Sequence, residues 1–496
     1  MLRKASRTLL LSAVCAAAAP IAARADDATA AMPSAHARIS FERVRFPGDG
    51  PRVGLIGTSY LVDVPKVEGL SIGPAVYGAI TGGRGGFFTV GGEVAWRRAL
   101  YGPFGVELGF YAGGGGGASA PQGGGLMLRP HADLVWDLGS YALGLSLSRV
   151  QFPNGQIDGT QLGLVVNFVN DFRHVPASQL DQPARASGRS GFGFDRIQLV
   201  AGAYRPRTGT RLVDGRAAPG TIGFLGARAE QAFASNAYWG VEANGAAQST
   251  VAGYAEYLGT LGVEIELVPR SLTIGGRVAA GMAGGGAINT SGGLLAKAAA
   301  YGIYRLSNDF GIALEVGITD APRGDFRALH ASAGLVWALD GPADSGITVR
   351  PTRTDFGAGV ERYTAARRDG SQRVLQADIL RINRYVGSHL YLTGQVHSAV
   401  SGGAGGYTAA YLGAGWLQPL GAGLLAGAEL IAGAAGGGGV ESRGSIVQPT
   451  AYLAYQVTPS TALRLGVGRI SALRGPLSST VVDLSLVFSY GVAAGN

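Results

Sequence analysis

His330 and Ser332 come nearest to a catalytic pair in residue type and spacing. Residues two apart in a β-strand point to the same face, so the imidazole could act as a base toward the serine hydroxyl. No acidic residue stands at a suitable spacing to orient the histidine, since Asp340 lies near the end of the predicted strand. The pair therefore does not complete a nucleophilic site, and we expect no enzymatic activity.

Metal and cofactor motifs are also missing from the sequence. The other histidines are scattered, and none forms a cluster with metal-ligand spacing (His36, His131, His174, His389, His397). Cys15 is the only cysteine, so the chain beyond it offers no thiolate. The glycine runs lack the Lys-Ser/Thr ending of a phosphate-binding P-loop. We expect no metal and no cofactor, and we interpret the glycine runs as flexible outer loops.

Arginines gather in two predicted hairpins. They are Arg205, Arg207, Arg211 and Arg216 in the first hairpin, and Arg367, Arg368 and Arg373 in the second. A guanidinium group can bind a phosphate through two parallel hydrogen bonds. These seven side chains are therefore candidates for binding an anionic surface or polymer, and the alternative is a solvated loop whose charge aids solubility.

The composition excludes several classes of protein. The 496 residues include 83 Gly, and only 15% are charged, against about 25% in ordinary soluble domains. The glycines keep no three-residue period, which excludes collagen, and apolar residues are too plentiful for disorder. No run of about 20 apolar residues follows residue 25, which argues against a bundle of membrane helices.

Residues 1–25 have the pattern of a secretory signal peptide. Arg3, Lys4 and Arg7 precede an apolar stretch, and Ala23-Arg24-Ala25 matches a cleavage site. Cleavage would remove four of the 41 basic residues and no acidic ones, leaving a net charge of +4 rather than +8. This charge gives no reason to expect nucleic-acid binding.

The remaining chain consists of three copies of one unit. Glycine runs begin at Gly113, Gly284 and Gly436, and Leu-Val pairs begin at Leu164, Leu335 and Leu486. The copies are offset by 171 residues and then by 151 or 152 at these anchors. Such fixed spacing indicates a triplicated structural unit.

Each unit is predicted to form about eight β-strands. Over residues 143–148 every second residue is Leu, and the residues between are Gly or Ser, the period-two pattern of a strand with two environments. Short turns such as 268–271 alternate with longer glycine-rich connections such as 283–293. This alternation is typical of a transmembrane antiparallel β-barrel, whose closure pairs every backbone group.

The last strand carries a more specific signal. Leu484, Leu486, Phe488 and Tyr490 share one face, and the strand resembles the C-terminal insertion signal of bacterial outer-membrane β-barrel proteins. Residues 491–496 follow it, which departs from that pattern. The resemblance implies the outer membrane of a Gram-negative bacterium and recognition by the barrel-insertion machinery. The His330 and Ser332 pair also resembles that of barrel-embedded lipid A deacylases, which makes a lipid A hydrolase a remote alternative.

The favoured architecture is an all-β fold in which the three units form one barrel of about 24 strands, and the alternative is three tandem eight-stranded barrels. Small residues on the inward face favour the wide barrel, since small barrels are expected to be filled by charged clusters. The predicted boundaries are a signal peptide (1–25), an N-terminal tail (26–38), unit 1 (39–170), a linker (171–190), unit 2 (191–339), a linker (340–353), unit 3 (354–490) and a C-terminal tail (491–496).

The sequence therefore predicts an integral outer-membrane protein that acts as a passive pore or as an export conduit for small solutes or a polymer. Its candidate lumen residues, assigned from alternation, are Glu107, Arg277, Glu315 and Arg464. The alternative is a non-transporting structural or surface-interaction protein of the same membrane. Expected partners are outer-membrane lipid, and lipopolysaccharide phosphates at the seven arginines.

Overall fold

The computed structural model describes residues 34–48, 52–64, 67–171, 174–180, 182–185, 194–247, 249–338 and 348–492. The signal-peptide prediction lies outside these residues. The described chain forms three closed antiparallel barrels of eight strands each. The all-β barrel class is confirmed, and the architecture agrees with the resemblance to outer-membrane β-barrel proteins at superfamily level.

The first barrel contains β1 (Ser34–Val44), β2 (Val53–Asp63), β3 (Leu70–Thr81), β4 (Phe88–Tyr101), β5 (Phe104–Gly116), β6 (Met127–Asp137), β7 (Tyr141–Gln151) and β8 (Asp158–Asp171). The second contains β11 (Arg196–Pro206), β12 (Ile222–Ala234), β13 (Ala237–Ala246), β14 (Ala255–Val268), β15 (Leu272–Gly284), β16 (Leu294–Arg305), β17 (Phe310–Asp320) and β18 (Arg327–Ala338). The third contains β20 (Thr352–Ala366), β21 (Gln372–Tyr385), β22 (Leu390–Ser401), β23 (Thr408–Gly421), β24 (Leu424–Gly436), β25 (Gly444–Thr458), β26 (Thr461–Ala472) and β27 (Ser478–Val492).

The expectation of one 24-stranded barrel is wrong, and the alternative of three tandem barrels is the one the structure has. The first and last strands of each unit pair with each other, so each unit closes on itself. The closing registers place Phe41 opposite Leu164, Leu199 opposite Leu335, and Ala358 opposite Leu486. The Leu-Val anchors of the sequence repeat therefore lie at the three closures.

Short strands occur in both predicted linkers. In the first linker, β9 (Val175–Pro176) pairs with Tyr490 and Gly491 of β27, and a short 3₁₀ helix (Ala177–Gln179) follows it. Further along, β10 (Ala184–Arg185) pairs with β19 (Thr348–Val349) of the second linker. A second 3₁₀ helix spans Ser249–Val251. Within the described ranges, no helix is long and apolar enough to cross a membrane.

Strand alternation gives each barrel an apolar outside and a polar inside. On β17, Leu314 and Val316 are 64% and 62% exposed, whereas Glu315 between them is 7% exposed. The same order recurs on β7, where Leu143, Leu145 and Leu147 face outward. A soluble protein would bury these leucines, so this arrangement suits a lipid environment.

The three barrels form a ring. The third strand of each barrel contacts the fifth strand of the next: β3 contacts β15, β13 contacts β24, and β22 contacts β5. Because the same pair of strands recurs at every interface and the third barrel returns to the first, the arrangement has the character of a threefold rotation within one chain.

Candidate functional sites inside and between the barrels

A buried charge cluster fills the first barrel. The guanidinium of Arg38 lies 2.6 Å from Asp133, 3.3 Å from Glu107 and 3.4 Å from Glu93. These side chains come from four strands whose inward faces meet at the barrel axis. Burial of a charge is costly unless an opposite charge and hydrogen bonds compensate it, and here both are present.

The second barrel is filled in the same way. Arg277 is placed between Glu230, at 2.7 Å, and Glu315. Nearer to the β15–β16 connection, Lys297 donates to Glu242 at 2.8 Å. All five side chains are less than 9% exposed. The interior is therefore occupied by paired charges.

The third barrel repeats the pattern with different residues. Arg464 pairs with Glu429 at 2.6 Å, and its guanidinium carbon lies 3.9 Å from the centre of the Tyr452 ring. Arg381 lies 3.5 Å from Glu429 and 3.3 Å from Asp483. Each interior thus combines buried arginines with buried carboxylates from other strands.

The structure places all four predicted lumen residues inside barrels. Glu107, Arg277, Glu315 and Arg464 are 0%, 5%, 7% and 2% exposed. They hold ion pairs across narrow interiors and do not line one wide lumen. Sequence reasoning missed other charged members of these clusters, whose only signal is a single charge at an inward position of an otherwise small or apolar strand face (Arg38, Glu93, Asp133, Glu230, Arg381, Glu429, Asp483).

Apolar clusters close the barrels at the end that carries the longer connections, which we call the loop end. In the first barrel the ring centres of Phe46 and Phe152 lie 5.2 and 5.8 Å from that of Phe87. In the second, Tyr204 and Tyr254 each lie 5.7 Å from Phe326. The third buries Tyr363, Tyr407 and Tyr411 at this end. These rings block entry to the interiors from the loop end.

One group in the described part of the chain has metal-ligand spacing. Ligand atoms of Glu107, His131 and Asp133 lie within 4.8 Å of one another in the first barrel. The Arg38 guanidinium contacts both carboxylates. A metal cation bound there would either displace the guanidinium or be repelled by its positive charge. The donor set therefore does not fit a metal site.

His330 and Ser332, the residues that come nearest to a catalytic pair in the sequence, point inward but are not hydrogen-bonded to each other. His330 is buried, with Nδ1 2.9 Å from the Thr319 hydroxyl and Nε2 3.4 Å from Glu315. No hydrogen bond between His330 and Ser332 occurs among the described residues. The histidine thus belongs to the ion-pair network of the interior.

The seven candidate arginines are divided between two barrels. Arg205 and Arg207 are exposed, and no side-chain partner for them occurs among the described residues. Arg211 donates to the Gly215 carbonyl, Arg216 pairs with Asp214, Arg368 lies 3.8 Å from Glu441, and Arg373 pairs with Asp369. The hydrogen bonds from Arg216 lower the pKa of Asp214, and those from Ser371 lower the pKa of Asp369.

Arg367 departs from the expectation of an available ligand-binding side chain. It is 7% exposed and donates to the carbonyls of Gly438 and Gly402, both at 3.0 Å. Its guanidinium ties together two loop-end connections of the third barrel. The structure therefore does not bring the seven arginines together as one site.

Glycines form the interfaces between barrels at the loop end. Each interface brings a glycine after the third strand of one barrel against a glycine after the fifth strand of the next. The pairs are Gly86 with Gly285, Gly253 with Gly437, and Gly406 with Gly117. A Cβ on Gly86 would lie 2.2 Å from the Gly285 nitrogen, and all six residues have positive φ. The interpretation of the glycine runs as flexible outer loops is wrong here, because close backbone approach requires glycine.

Hydrogen bonds across two of the interfaces join equivalent backbone positions. Gly85 donates to the Ser291 carbonyl at 2.8 Å, and Gly405 donates to the Gly123 carbonyl at 3.2 Å. The first and third barrels have an additional contact, in which Asp378 accepts the backbone N–H of Gly114 at 3.1 Å. Backbone groups therefore take part in each of these contacts between barrels at the loop end.

Comparison with known proteins gives no family. No family model matches the sequence, and no curated protein matches it. Solved structures with a likeness include Pseudomonas aeruginosa OpdQ (8% identity, 93% of this chain, 97% of that chain, TM-score 0.22), OccK11 (OpdR) of the same species (12%, 93%, 96%, 0.21) and the ferric enterobactin receptor PfeA in complex with BCV-L6 (10%, 94%, 82%, 0.28). With such low TM-scores, these likenesses carry no argument about function.

Proposed function

We propose that this chain is an integral protein of the outer membrane of a Gram-negative bacterium. The outward faces of all three barrels are rich in exposed Leu, Val and Ile, as lipid contact requires. The longer connections of such barrels face the cell exterior, so the loop end would face outward. The pairing of every strand of the three barrels removes the unpaired edges that lipid does not tolerate.

Within that membrane the geometry best supports a non-transporting structural or surface-interaction protein. The observation that carries this proposal is the filling of all three interiors by buried ion pairs, capped by aromatic residues at the loop end. Water and solutes would cross a barrel only if these pairs separated, and separation of buried charges is energetically costly. Eight strands enclose an interior just wide enough for side chains to fill.

Single-channel recording tests this proposal. The refolded protein inserted into a planar bilayer should give no stepwise conductance, whereas a porin measured in the same bilayers gives steps. Reproducible steps would instead support the passive pore or export conduit, with the ion-pair networks acting as a gate.

We also propose that the chain is not an enzyme, since His330 is held by Thr319 and Glu315 inside the second barrel. Overexpression in a lipopolysaccharide-producing host should leave the mass spectrum of lipid A unchanged. Loss of an acyl chain, abolished by Ser332→Ala, would contradict this.

A further inference from the structure

Three arginines line one cavity where the first and second barrels meet at the loop end. Arg43 and Arg52 belong to the β1–β2 hairpin of the first barrel, and Arg323 belongs to the β17–β18 turn of the second. The cavity has a volume of about 350 Å³, and Thr81 and Gly82 complete its lining. None of the seven arginines in the two predicted hairpins lines it.

Strand register explains why the first-barrel side of the cavity is open. Arg43 lies opposite Gly54, which in turn lies opposite Thr81, so the three residues form one row across three strands. Gly54, in the middle of the row, has no side chain. Its backbone N–H donates a hydrogen bond to the Thr81 hydroxyl at 3.1 Å. The hydroxyl hydrogen therefore remains free to donate into the cavity.

The three guanidinium groups have no acidic partner among the described residues. The carboxylates of the neighbouring turn are engaged elsewhere: Asp320 pairs with Arg327 at 2.9 Å, and Asp325 accepts from Asn289 at 2.8 Å. Three unpaired positive charges around one cavity repel each other, and an anion with several oxygens would relieve that repulsion. Guanidinium forks match the geometry of phosphate oxygens.

The position of the cavity indicates where the phosphate would come from. On β1 the outward residues change from Ile39 and Phe41 to Arg43 toward the loop end, and the exposed Arg45 follows just after the strand. This change from apolar to charged side chains marks the level where lipid tails give way to headgroups. An anion at Arg43 would thus lie at headgroup depth.

We propose that Arg43, Arg52 and Arg323, with the Thr81 hydroxyl, bind the phosphate of a phosphorylated lipid headgroup in the outer leaflet. The proposal rests on the outer-membrane placement given above, but not on the barrels being non-conducting. A ligand held by residues of both barrels would add a further contact between the first and second barrels.

The test compares binding of three probes by the refolded full chain in detergent: lipid A with its phosphates, lipid A with its phosphates removed, and inorganic phosphate. Lipid A should bind, and replacement of the three arginines (Arg43→Gln, Arg52→Gln, Arg323→Gln) should weaken its affinity at least tenfold. Removal of the phosphates should have a similar effect on the parent protein. Tighter binding of inorganic phosphate than of lipid A would overturn the assignment to a lipid headgroup.

A charge-matched control removes three exposed arginines of the third barrel that belong to neither arginine group (Arg362→Gln, Arg469→Gln, Arg474→Gln) and should change the affinity less than twofold. Arg474 precedes a glycine in the β26–β27 turn, as Arg323 does in the β17–β18 turn. Equal losses in both triple variants would show diffuse charge attraction and overturn the proposal. If the first triple variant does not migrate as a folded barrel on a gel, the single variant Arg323→Gln replaces it, with Arg474→Gln as its control. We then expect Arg323→Gln to weaken the affinity for lipid A threefold. Channel recording tests a different proposal from the lipid A binding assay. If the protein conducts ions and still binds lipid A, only the proposed non-transporting function is refuted.

Discussion

Inside the barrels, long charged side chains from distant parts of the chain meet and neutralise one another, as Arg277 does with Glu230 and Glu315. Between the barrels at the loop end, the backbones of glycines such as Gly86 and Gly285 touch directly, because neither residue has a side chain. The two regions therefore depend on opposite properties. The interior needs particular functional groups, whereas the interface needs the absence of a Cβ, so substitutions should damage the two regions by different physical mechanisms.

The largest effect is expected in the interior. Arg277→Met should lower the free energy of unfolding by about 3–5 kcal/mol, because it leaves Glu230 and Glu315 buried with less compensating charge. Urea unfolding in lipid vesicles, followed by tryptophan fluorescence, measures the change. The matched control is Arg149→Met, which removes an exposed pair with Asp158 and should have little effect. If both variants have the same free energy of unfolding, the interior ion pairs do not stabilise the barrel.

A smaller effect is expected at the interface. Gly86→Ala should cost about 1–3 kcal/mol more than Gly83→Ala, because its Cβ would overlap the next barrel, whereas a Cβ on Gly83 meets nothing within 4 Å. Both residues have positive φ, so the comparison removes the backbone strain that the two substitutions share. Equal unfolding free energies for the two variants would show that the glycine contact does not hold the barrels together.

The smallest effect is expected in an exposed loop, which belongs to neither region. Hydrogen bonds from Ser371 lower the pKa of Asp369 in the folded state, so its contribution to stability is present at neutral pH and is lost as pH falls through that pKa. Asp369→Asn should therefore differ only slightly from the parent at pH 7, and the two should converge on acidification. Urea midpoints at pH 7 and pH 3 check this, and a difference that grows on acidification would contradict the assignment.

Much of the local structure could be predicted from the sequence. Period-two alternation located eight strands per unit, and the same pattern assigned Glu107 and Arg464 to inward faces. The Leu-Val anchors of the repeat lie on the last strand of each barrel. The first barrel nonetheless begins at Ser34, within the predicted tail, and the first linker pairs with β27 in the third barrel.

The candidate sites were less predictable. The seven clustered arginines attract attention in the sequence, yet most of them have local partners. Arg43 and Arg52 lie in one hairpin, but Arg323 is 271 positions beyond Arg52 and belongs to another repeat, so nothing in the sequence connects it with them. They meet because the ring places the first hairpin of one barrel beside the last hairpin of the next.

The sequence by itself determined that this chain forms antiparallel strands with an apolar and a polar face, in three equivalent units. These properties are local, because alternation and turn residues act over only a few positions. Only the tertiary structure decided that each unit closes on itself, that the inward charges pair, and that the glycine runs join barrels. Closure depends on which distant strand pairs with the free edges of β1, β11 and β20. The alternation pattern is the same whether that strand belongs to the same unit or to another unit, so it does not select between them.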